Sequence, residues 1–345
     1  MVPSGNGTHV LIGESVRWAR MSEPMSVSIV VATRDELESL GRCLRALGDQ
    51  TYPCEILVAD GGVDASARAI VEQYGARWLD NPDRIAATGW NRGLDAATGD
   101  VLGIMSSHAV PARDYVERCV EALHRTGAWA VGGRIARFGG SGPIQEAIAR
   151  ATSSPFGVGN SRHNYADEPG WAETVFPGMW PRWVLEQVGR FDAELVRNQD
   201  DELSYRIREA GGRIWYDPAI VVAYEPRASL RSVFDQYRQY GFWKVRVYAK
   251  HPGAIRPRQL VPAAWLAALT IGIVALGMRS PARLLLWPAA VGYSFFILAA
   301  GLRLGGGRMG GRIAAALAAV HSGYGLGMWQ GLIASTFNRL RRTRT

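Results

Sequence analysis

Lysine is nearly absent from this 345-residue chain. Lys244 and Lys250 are its two lysines, so arginine supplies nearly all of the positive charge behind a formal net charge of +8. The sequence has neither a compact Arg/Lys tract nor a Cys/His spacing typical of zinc sites, which argues against a nucleic-acid-binding protein. Many arginines stand beside apolar segments instead, as in the flanks of membrane helices.

Cysteine is scarce too: Cys43, Cys54 and Cys119 are scattered, without CxxC spacing. This pattern predicts buried reduced thiols and excludes a disulfide framework, as is typical of a cytosolic domain. The first 24 residues lack a continuous apolar run. We therefore expect a loose leader over residues 1–25 and no signal peptide.

Charge and hydropathy divide the chain in two. The mean hydropathy of −0.05 is an average over a polar part before about residue 258 and an apolar part after it. Apolar segments occupy about 260–278, 284–302 and 313–336, and the first two approach the ~20 residues that span a bilayer. The third contains His321, Gln330 and several glycines, so it also suits a re-entrant or interfacial segment. Three spans would place the basic tail, 339–345, outside the cell, against the positive-inside tendency; two spans with a non-spanning third segment are the alternative.

Strand and helix patterns alternate from residue 26 onward. Short buried runs at 26–31, 55–59, 77–79 and 101–105 predict strands, and apolar residues at helical spacing over 37–47 and 65–74 predict helices. Such an order predicts a parallel sheet covered on both faces, with ligands bound at the carboxyl ends of its strands. We expect residues 139–170 to form a long loop or lid, and 229–248 to form an amphipathic helix. That helix lies either in the membrane interface or packed on the core as an ordinary surface helix.

Polar residues follow the first two predicted strands where the strands end. Asp60 precedes two glycines and a predicted helix, and residues 33–36 read Thr-Arg-Asp-Glu. A carboxylate at a strand tip can accept hydrogen bonds from a uracil N–H or ribose hydroxyls, and the adjoining backbone N–H groups can approach phosphate. The two segments in register therefore predict a nucleotide site.

Several motifs in order resemble family 2 (GT-A fold) glycosyltransferases, especially the succinoglycan-type exopolysaccharide glucosyltransferases. They are 30–36 (Val-Val-Ala-Thr-Arg-Asp-Glu), 50–53 (Gln-Thr-Tyr-Pro), 60–62 (Asp-Gly-Gly), 91–93 (Asn-Arg-Gly), 189–192 (Gly-Arg-Phe-Asp), 196–203 (Val-Arg-Asn-Gln-Asp-Asp-Glu-Leu) and 240–244 (Tyr-Gly-Phe-Trp-Lys). The resemblance covers about residues 26 to 335. It implies a Rossmann-like GT-A domain over 26–228, an amphipathic interfacial region over 229–258 and C-terminal α-helical transmembrane segments over 259–338.

The resemblance also implies roles for individual residues. Asp200 occupies the position of the catalytic base. Among the donor-binding residues, Thr33, Arg34, Glu36 and Asp60 would hold the nucleoside, with Asn91 nearer the diphosphate. Ala32, Ser106 and Ser107 complete this set, to which we add Arg84 as a positive charge for the diphosphate. The acceptor-side residues would be Thr174, Gly178, Trp180 and Asp201.

A chemical argument for Asp200 stands beside the resemblance. An inverting sugar transfer needs a carboxylate to take the proton of the attacking hydroxyl. Asp200, Asp201 and Glu202 are consecutive, and their mutual repulsion can raise one pKa into a useful range. The alternative is an ordinary helix N-terminus, where acidic residues are common.

One departure from the family pattern concerns the metal. Family members carry Asp-X-Asp or Asp-X-His after the fourth strand, where it binds Mg²⁺ or Mn²⁺. Here the tripeptide is Ser106-Ser107-His108, so His108 is the one remaining metal ligand, or else a structural histidine. Because a neutral Ser is a poor ligand for a hard cation, we expect metal affinity to fall.

These observations predict an inverting glycosyltransferase with a nucleotide-diphosphate sugar donor, of which a UDP-sugar is the first choice. We expect a lipid-linked or polysaccharide acceptor, a multi-pass plasma-membrane location with a cytosolic catalytic domain, and polysaccharide-assembly partners. The alternative is a non-catalytic nucleotide-sugar-binding scaffold whose metal site has degenerated. A transporter is disfavoured because the apolar segments hold no charged residue deep inside them.

Overall fold

The computed structural model describes residues 24–62, 66–137, 142–278, 281 and 283–342. The expected leader up to residue 23 and the last residues of the basic tail, 343–345, lie outside the described residues. Among the described residues there are nine strands: β1 (Val27–Thr33), β2 (Glu55–Asp60), β3 (Arg77–Asp80), β4 (Val101–Ser106), β5 (Ala109–Pro111), β6 (Ala130–Arg137), β7 (Gly170–Ala172), β8 (Gly178–Pro181) and β9 (Ile214–Tyr224).

The strands form one mixed sheet. Its order is β3-β2-β1-β4-β8-β6-β9-β5, and β7 pairs with β9. The pairs among β1, β2, β3 and β4 are parallel, as the sequence predicts. However, β8 runs antiparallel to both β4 and β6, and β7 runs antiparallel to β9. The expected all-parallel sheet is thus corrected for its second half, because the apolar pattern of a short strand carries no sign of its direction.

The helices account for most of the remaining chain. They are α1 (Leu37–Gly48), α2 (Ser66–Gln73), α3 (Ala86–Ala96), α4 (Tyr115–Thr126), α5 (Pro143–Thr152), α6 (Pro155–Val158), α7 (Arg182–Val188), α8 (Gln199–Glu209), α9 (Leu230–Lys250), α10 (Pro257–Gly277), α11 (Arg283–Gly305) and α12 (Gly307–Arg342). Ile29, Val30 and Val31 of β1 are completely buried. Gly93 lets α3 approach β1 closely, since a Cβ there would overlap the Val30 side chain.

The chain forms two compact units. The sheet unit comprises residues up to Ile135, Ala166–Ala193 and Leu203–Ala223, and the helical unit comprises Ala136–Tyr165, Glu194–Glu202 and the chain from Tyr224 onward. This division differs from the contiguous boundary expected at 228. Two internal segments belong with the C-terminal helices.

The expected loop over 139–170 is corrected, because α5 and α6 lie within it. Pro143 occupies the first turn of α5, where a missing N–H is tolerated. Ala147, Ile148 and Ala151 are buried in an apolar cluster with residues of α11 and α12. The alanines of α5, with Ile148, form the packing face of a helix.

The amphipathic helix α9 packs along α12 inside the helical unit. Gly323, Gly327 and Gly331 of α12 face backbone carbonyls of α9, and Gly241 of α9 faces the Tyr324 carbonyl. A Cβ at any of these positions would overlap the partner backbone, so the small residues permit the close approach. This packing agrees with the surface-helix alternative, and an interfacial location for α9 stays a prediction.

Two helices among the described residues are long and apolar enough to cross a membrane: α10, and residues 286–305 of α11. Only 17% and 22% of their most apolar windows are buried, unlike the core helix of a soluble protein. Side chains such as Ile273 and Phe295 are more than half exposed. The third apolar segment, within α12, is not among these candidates, so a topology of more than two spans is not supported.

Candidate active site

The carboxyl ends of the parallel strands bring several predicted donor residues together in the sheet unit. Thr33 on β1 is paired with Asp60 on β2, which in turn is paired with Asp80 on β3. On the other side of β1, Ala32 is paired with Ser106 of β4. These residues form one edge of the sheet, where ligands of α/β proteins bind.

Asp60 and Thr33 lie at the centre of this edge, and both are buried. One carboxylate oxygen of Asp60 accepts a hydrogen bond from the Gly62 backbone N–H at 2.8 Å, and the other accepts from Trp78 Nε1 at 3.3 Å. The Thr33 hydroxyl is buried and has no hydrogen-bond partner within the described ranges. A buried hydroxyl in that state is a position where a ligand atom can supply the missing bond.

Two arginines stand beside this edge with exposed guanidinium groups. Arg84 donates to the Gly61 carbonyl at 2.9 Å and to an Asp35 carboxylate oxygen at 3.3 Å, and Arg34 lies 3.6 Å from the same oxygen. Asp35 and Arg84 both adopt positive φ angles, 55° and 57°. Such angles are uncommon for residues other than glycine and are frequent at functional sites. The arginines therefore offer two cationic groups for phosphate oxygens.

Glu36 connects the start of α1 to the tripeptide after β4. One carboxylate oxygen accepts from the Ser107 hydroxyl at 2.6 Å, and the other lies 2.9 Å from His108 Nε2. The Ser106 hydroxyl accepts a hydrogen bond from the His108 backbone N–H at 3.5 Å. Glu36, predicted to hold the nucleoside, thus orders the Ser106–His108 segment, and a nucleoside contact stays a prediction.

The same segment does not fit a divalent-metal site. No group of three His, Cys, Asp or Glu side chains suited to a metal occurs in the described part of the chain. His108 and Glu36 bond to each other, and Ser106 supplies a neutral hydroxyl where a hard cation prefers a carboxylate.

Asn91 is engaged within the protein. Its amide nitrogen donates to the Phe191 carbonyl at 2.8 Å, and its amide oxygen accepts from the Phe191 N–H at 2.9 Å. Both polar ends of the side chain are thereby used to hold the segment around Phe191. The structure gives Asn91 a positioning role, and a diphosphate contact stays a prediction.

Trp180, expected on the acceptor side, lies in the hydrophobic core of the sheet unit with 3% exposure. Its ring packs against Phe191 at a centroid distance of 5.9 Å. A Cβ at Gly178 would overlap the Trp180 ring, so the glycine makes room for the indole. Both residues belong to β8, which lies between β4 and β6 inside the sheet, and an acceptor-side role for them stays a prediction. Thr174 is partly buried, 3.1 Å from the Ser204 hydroxyl.

The acidic run at the start of α8 belongs to the helical unit, where it faces α9. Asp201 forms an ion pair with Lys244, which is buried. Glu202 is buried and lies 2.8 Å from His251 Nε2. Asp200, in contrast, forms no ion pair within the described residues.

The surroundings of Asp200 change its acidity. Burial, followed by the negative charge of Asp201, raises the pKa of Asp200 from 3.8 to about 6. A carboxyl group with that pKa is ionised at neutral pH and is a much better proton acceptor than an ordinary aspartate. The resemblance assigns the catalytic base to Asp200, and that role stays a prediction.

Some residues of the site were missed by sequence reasoning. The motif over residues 30–36 includes Asp35 but assigns it no role, although one of its carboxylate oxygens contacts both arginines. Trp78, a hydrogen-bond donor to Asp60, comes from β3, whose contact with β2 no local pattern reveals. The run Gln-Asp-Asp-Glu gave no sign of its partners, since Lys244 and His251 are 43 and 49 residues further along.

A mixed α/β sheet with a polar edge at its parallel strand tips places the chain among the α/β proteins that bind ligands, nucleotides among them, at that edge. Comparison with known proteins narrows that class. The Glycosyl transferase family 2 model matches residues 28–180. The succinoglycan biosynthesis protein ExoA of Rhizobium meliloti is 30% identical over 287 residues, covering 73% of this chain and 87% of that protein. The chain therefore belongs to glycosyl transferase family 2.

Two further relatives extend the comparison. A dolichyl N-acetyl-α-D-glucosaminyl phosphate 3-β-D-2,3-diacetamido-2,3-dideoxy-β-D-glucuronosyltransferase of Methanococcus voltae is 26% identical, covering 62% of this chain and 71% of that protein. The solved structure of the mannosyltransferase PcManGT from Pyrobaculum calidifontis, in complex with GDP-Man and Mn²⁺, has a TM-score of 0.60 at 18% identity. It covers 93% of this chain and 94% of that chain. The predicted GT-A fold and the resemblance to the succinoglycan-type subgroup are confirmed.

Proposed function

We propose that this family 2 glycosyltransferase transfers a sugar from a nucleoside-diphosphate donor, first of all a UDP-sugar, to a lipid-linked glycan with inversion. The observation that carries the proposal is the state of Asp200, a carboxylate that forms no ion pair within the described residues and whose pKa burial raises to about 6. Inversion requires a base that takes the acceptor proton as the hydroxyl attacks. Asp201 and Glu202 are held by cationic or imidazole partners and are less suited to that role.

The donor is assigned to the edge of the sheet unit. Thr33 and Asp60 supply polar atoms for the nucleoside, while Arg34 and Arg84 supply positive charge for the diphosphate. Two charge-assisted hydrogen bonds to phosphate oxygens stabilise the leaving group as its negative charge grows. The Mn²⁺ in the mannosyltransferase neighbour is compatible with a metal in this fold. Ser106 and the Glu36–His108 pair do not fit a metal, so the positive charge beside the diphosphate comes from Arg34 and Arg84.

The acceptor assignment rests on the relatives and on the apolar helices. One relative is named for succinoglycan biosynthesis and another for a dolichyl-linked substrate. An enzyme anchored by α10 and α11 meets a lipid-linked glycan in the same bilayer. Two spans return the chain to its starting side, which agrees with the positive-inside tendency of the basic C-terminal segment and with a catalytic domain at the cytosolic face. Partners in polysaccharide assembly are part of this proposal.

The test uses the full-length protein in detergent micelles with a panel of UDP-, GDP- and TDP-sugars, and measures released nucleotide and glycosylated lipid. We expect Asp200→Asn to lower turnover about 10²–10⁴-fold, the usual contribution of a general base. UDP affinity should stay the same. Glu209→Gln, at the exposed far end of α8, is the matched control and should keep full activity. Undiminished turnover by Asp200→Asn would refute the assignment of the base.

A scaffold without catalytic activity is the second candidate, favoured by the lost metal carboxylate at Ser106. It predicts that the wild-type protein binds UDP yet releases no nucleotide from any donor, with or without Mn²⁺. Turnover of a single donor decides against it.

A further inference from the structure

Arg137, the last residue of β6, is a cation that forms no ion pair within the described residues. Its guanidinium group donates to the amide oxygen of Asn164 at 2.6 Å and to the hydroxyl of Ser153 at 3.3 Å, and both acceptors are neutral. No carboxylate of the described residues pairs with it. Arg134, three residues earlier on the same strand, does pair with a carboxylate, Asp167, at 2.5 Å. A guanidinium group has five N–H donors, and the hydrogen bonds to Asn164 and Ser153 use two of them.

The surroundings of Arg137 are rich in hydroxyl groups. Tyr237, Tyr240 and Tyr224 lie close enough to interact electrostatically with the guanidinium group. Tyr240 accepts a hydrogen bond from the Gln236 amide at 3.0 Å, which leaves its own O–H proton as a donor. Burial raises the pKa of Tyr237, so this phenol also stays protonated and able to donate. The site therefore combines one positive charge with several O–H donors, the chemistry that binds phosphate.

An unpaired cation in such a place destabilises the free protein. Partial burial removes water from the guanidinium group, and this desolvation lowers the pKa of Arg137. Taking an ion out of water costs free energy that neutral acceptors offset only in part. An anionic ligand that binds there supplies the missing counter-charge.

The apolar neighbours indicate which anion. Tyr237, beside Arg137, also packs against a cluster that contains Ile297 of α11 and Ile313 and Leu317 of α12. The described part of the helical unit thus joins the cationic site to one of the two candidate spans. A ligand with a phosphate head and a long apolar tail matches both parts.

We propose that Arg137, with the hydroxyls of Tyr237 and Tyr240, binds the phosphoryl group of the acceptor's polyprenyl carrier. This inference deepens the proposed function, since it rests on a lipid-linked acceptor. It adds a site in the helical unit to the donor edge of the sheet unit.

The test is a binding titration of the full-length protein in detergent, followed by tryptophan fluorescence, with three probes: farnesyl diphosphate, inorganic pyrophosphate and UDP. We expect Arg137→Gln to weaken farnesyl diphosphate binding about 10-fold or more, as the loss of a charged hydrogen bond does. UDP binding should stay unchanged. The matched control is Arg150→Gln, an arginine of the same unit that pairs with Glu146 on the surface of α5.

Thermal unfolding separates binding from a structural role. Without ligand, Arg137→Gln should unfold at the same temperature as the wild type or higher, and farnesyl diphosphate should stabilise only the wild type and the control. A lower melting temperature for Arg137→Gln, together with unchanged farnesyl diphosphate binding by Arg137→Lys and Arg137→Gln, would overturn the proposal in favour of a structural arginine.

The remaining probes distinguish the source of the phosphate. Pyrophosphate binding as tight as that of farnesyl diphosphate would overturn the lipid carrier as the ligand, and a loss of UDP binding would assign Arg137 to the donor. Because the readout needs no turnover, the proposed transferase activity can fail while this site stands. An active enzyme whose Arg137→Gln variant binds the prenyl probe normally refutes this inference alone.

Discussion

Asp200 should make the protein less stable at the pH at which it acts as a base. Its carboxyl group is partly buried beside Asp201 and has no paired cation among the described residues. Replacement by Asn removes the negative charge and keeps the size and shape of the side chain. We therefore expect Asp200→Asn to be inactive and more stable than the wild type at pH 8.

The expected increase in the free energy of unfolding of Asp200→Asn follows from the pKa of Asp200 in the wild type. A pKa of about 6 lies about 2 pH units above the ordinary value of 3.8. At about 1.4 kcal/mol for each pH unit, ionised Asp200 costs the folded state about 3 kcal/mol. A change of 1 kcal/mol shifts the melting temperature by about 2–4 °C in a protein of 150–250 residues, so a rise of several degrees is expected.

The stability difference between Asp200→Asn and the wild type should depend on pH. Above pH 6 the group is ionised in both folded and unfolded states, and the full penalty applies. As the pH falls from about 6 towards 3.8, the folded protein takes up a proton that the unfolded chain does not, and the penalty disappears. The difference in melting temperature between variant and wild type should therefore be large at pH 8 and close to zero near pH 4.

Differential scanning fluorimetry of the two proteins in the same detergent, from pH 4 to pH 8, measures this difference. Glu209→Gln serves again as the control and should show no pH-dependent difference. An Asp200→Asn variant that is less stable than the wild type at pH 8 would refute the reasoning, because the carboxylate would then be a stabilising group. Wild-type turnover should also decline as the pH falls below about 6, as the base becomes protonated.

Three further predictions concern the donor edge and the helical unit. Arg84→Ala should weaken UDP binding about 10-fold in a calorimetric titration, while Arg118→Ala, an exposed arginine paired with Asp114, should not change it. Ser106→Asp should strengthen Mn²⁺ binding followed by electron paramagnetic resonance; unchanged binding would mean that the segment lies away from any metal. Gly327→Leu should lower the melting temperature by the equivalent of about 1–3 kcal/mol through overpacking of α9 on α12. Gly311→Leu, on the same helix but in open space, is its control, and an equal loss there would contradict the packing argument.

The edge of the sheet at the carboxyl ends of β1, β2 and β4 could be predicted from the sequence, because each strand and the turn after it are encoded by neighbouring residues. A buried β-branched run followed by a polar residue and glycines predicts a strand, its end and a helix start, and the parallel register then follows from the alternating order. Thr33, Asp60 and Ser106 accordingly lie at one edge. The positive φ angles of Asp35 and Arg84 are different, since they arise from the contact of two segments 49 residues apart.

The burial of Trp180 cannot be predicted from the local sequence. The resemblance places Trp180 near the acceptor, but its burial depends on β4 and β6, which pair with its strand and come from elsewhere in the chain. The sequence does not predict α5, because serines, which are common in loops, flank this short helix and the small alanines of its packed face give only a weak apolar pattern. In both cases the decisive information is which partner covers the segment.

The near absence of lysine has a practical consequence. Lys244 is buried in its ion pair with Asp201, whereas Lys250 forms an exposed ion pair with Glu194. An amine-reactive reagent should therefore modify the side chain of Lys250 readily in the folded protein and reach Lys244 only when the contact between α8 and α9 opens. The rate of labelling at Lys244, followed by peptide mass spectrometry, therefore reports how often the contact between Asp201 and Lys244 opens. Lys250 serves as a reference for the reactivity of the reagent within the same molecule.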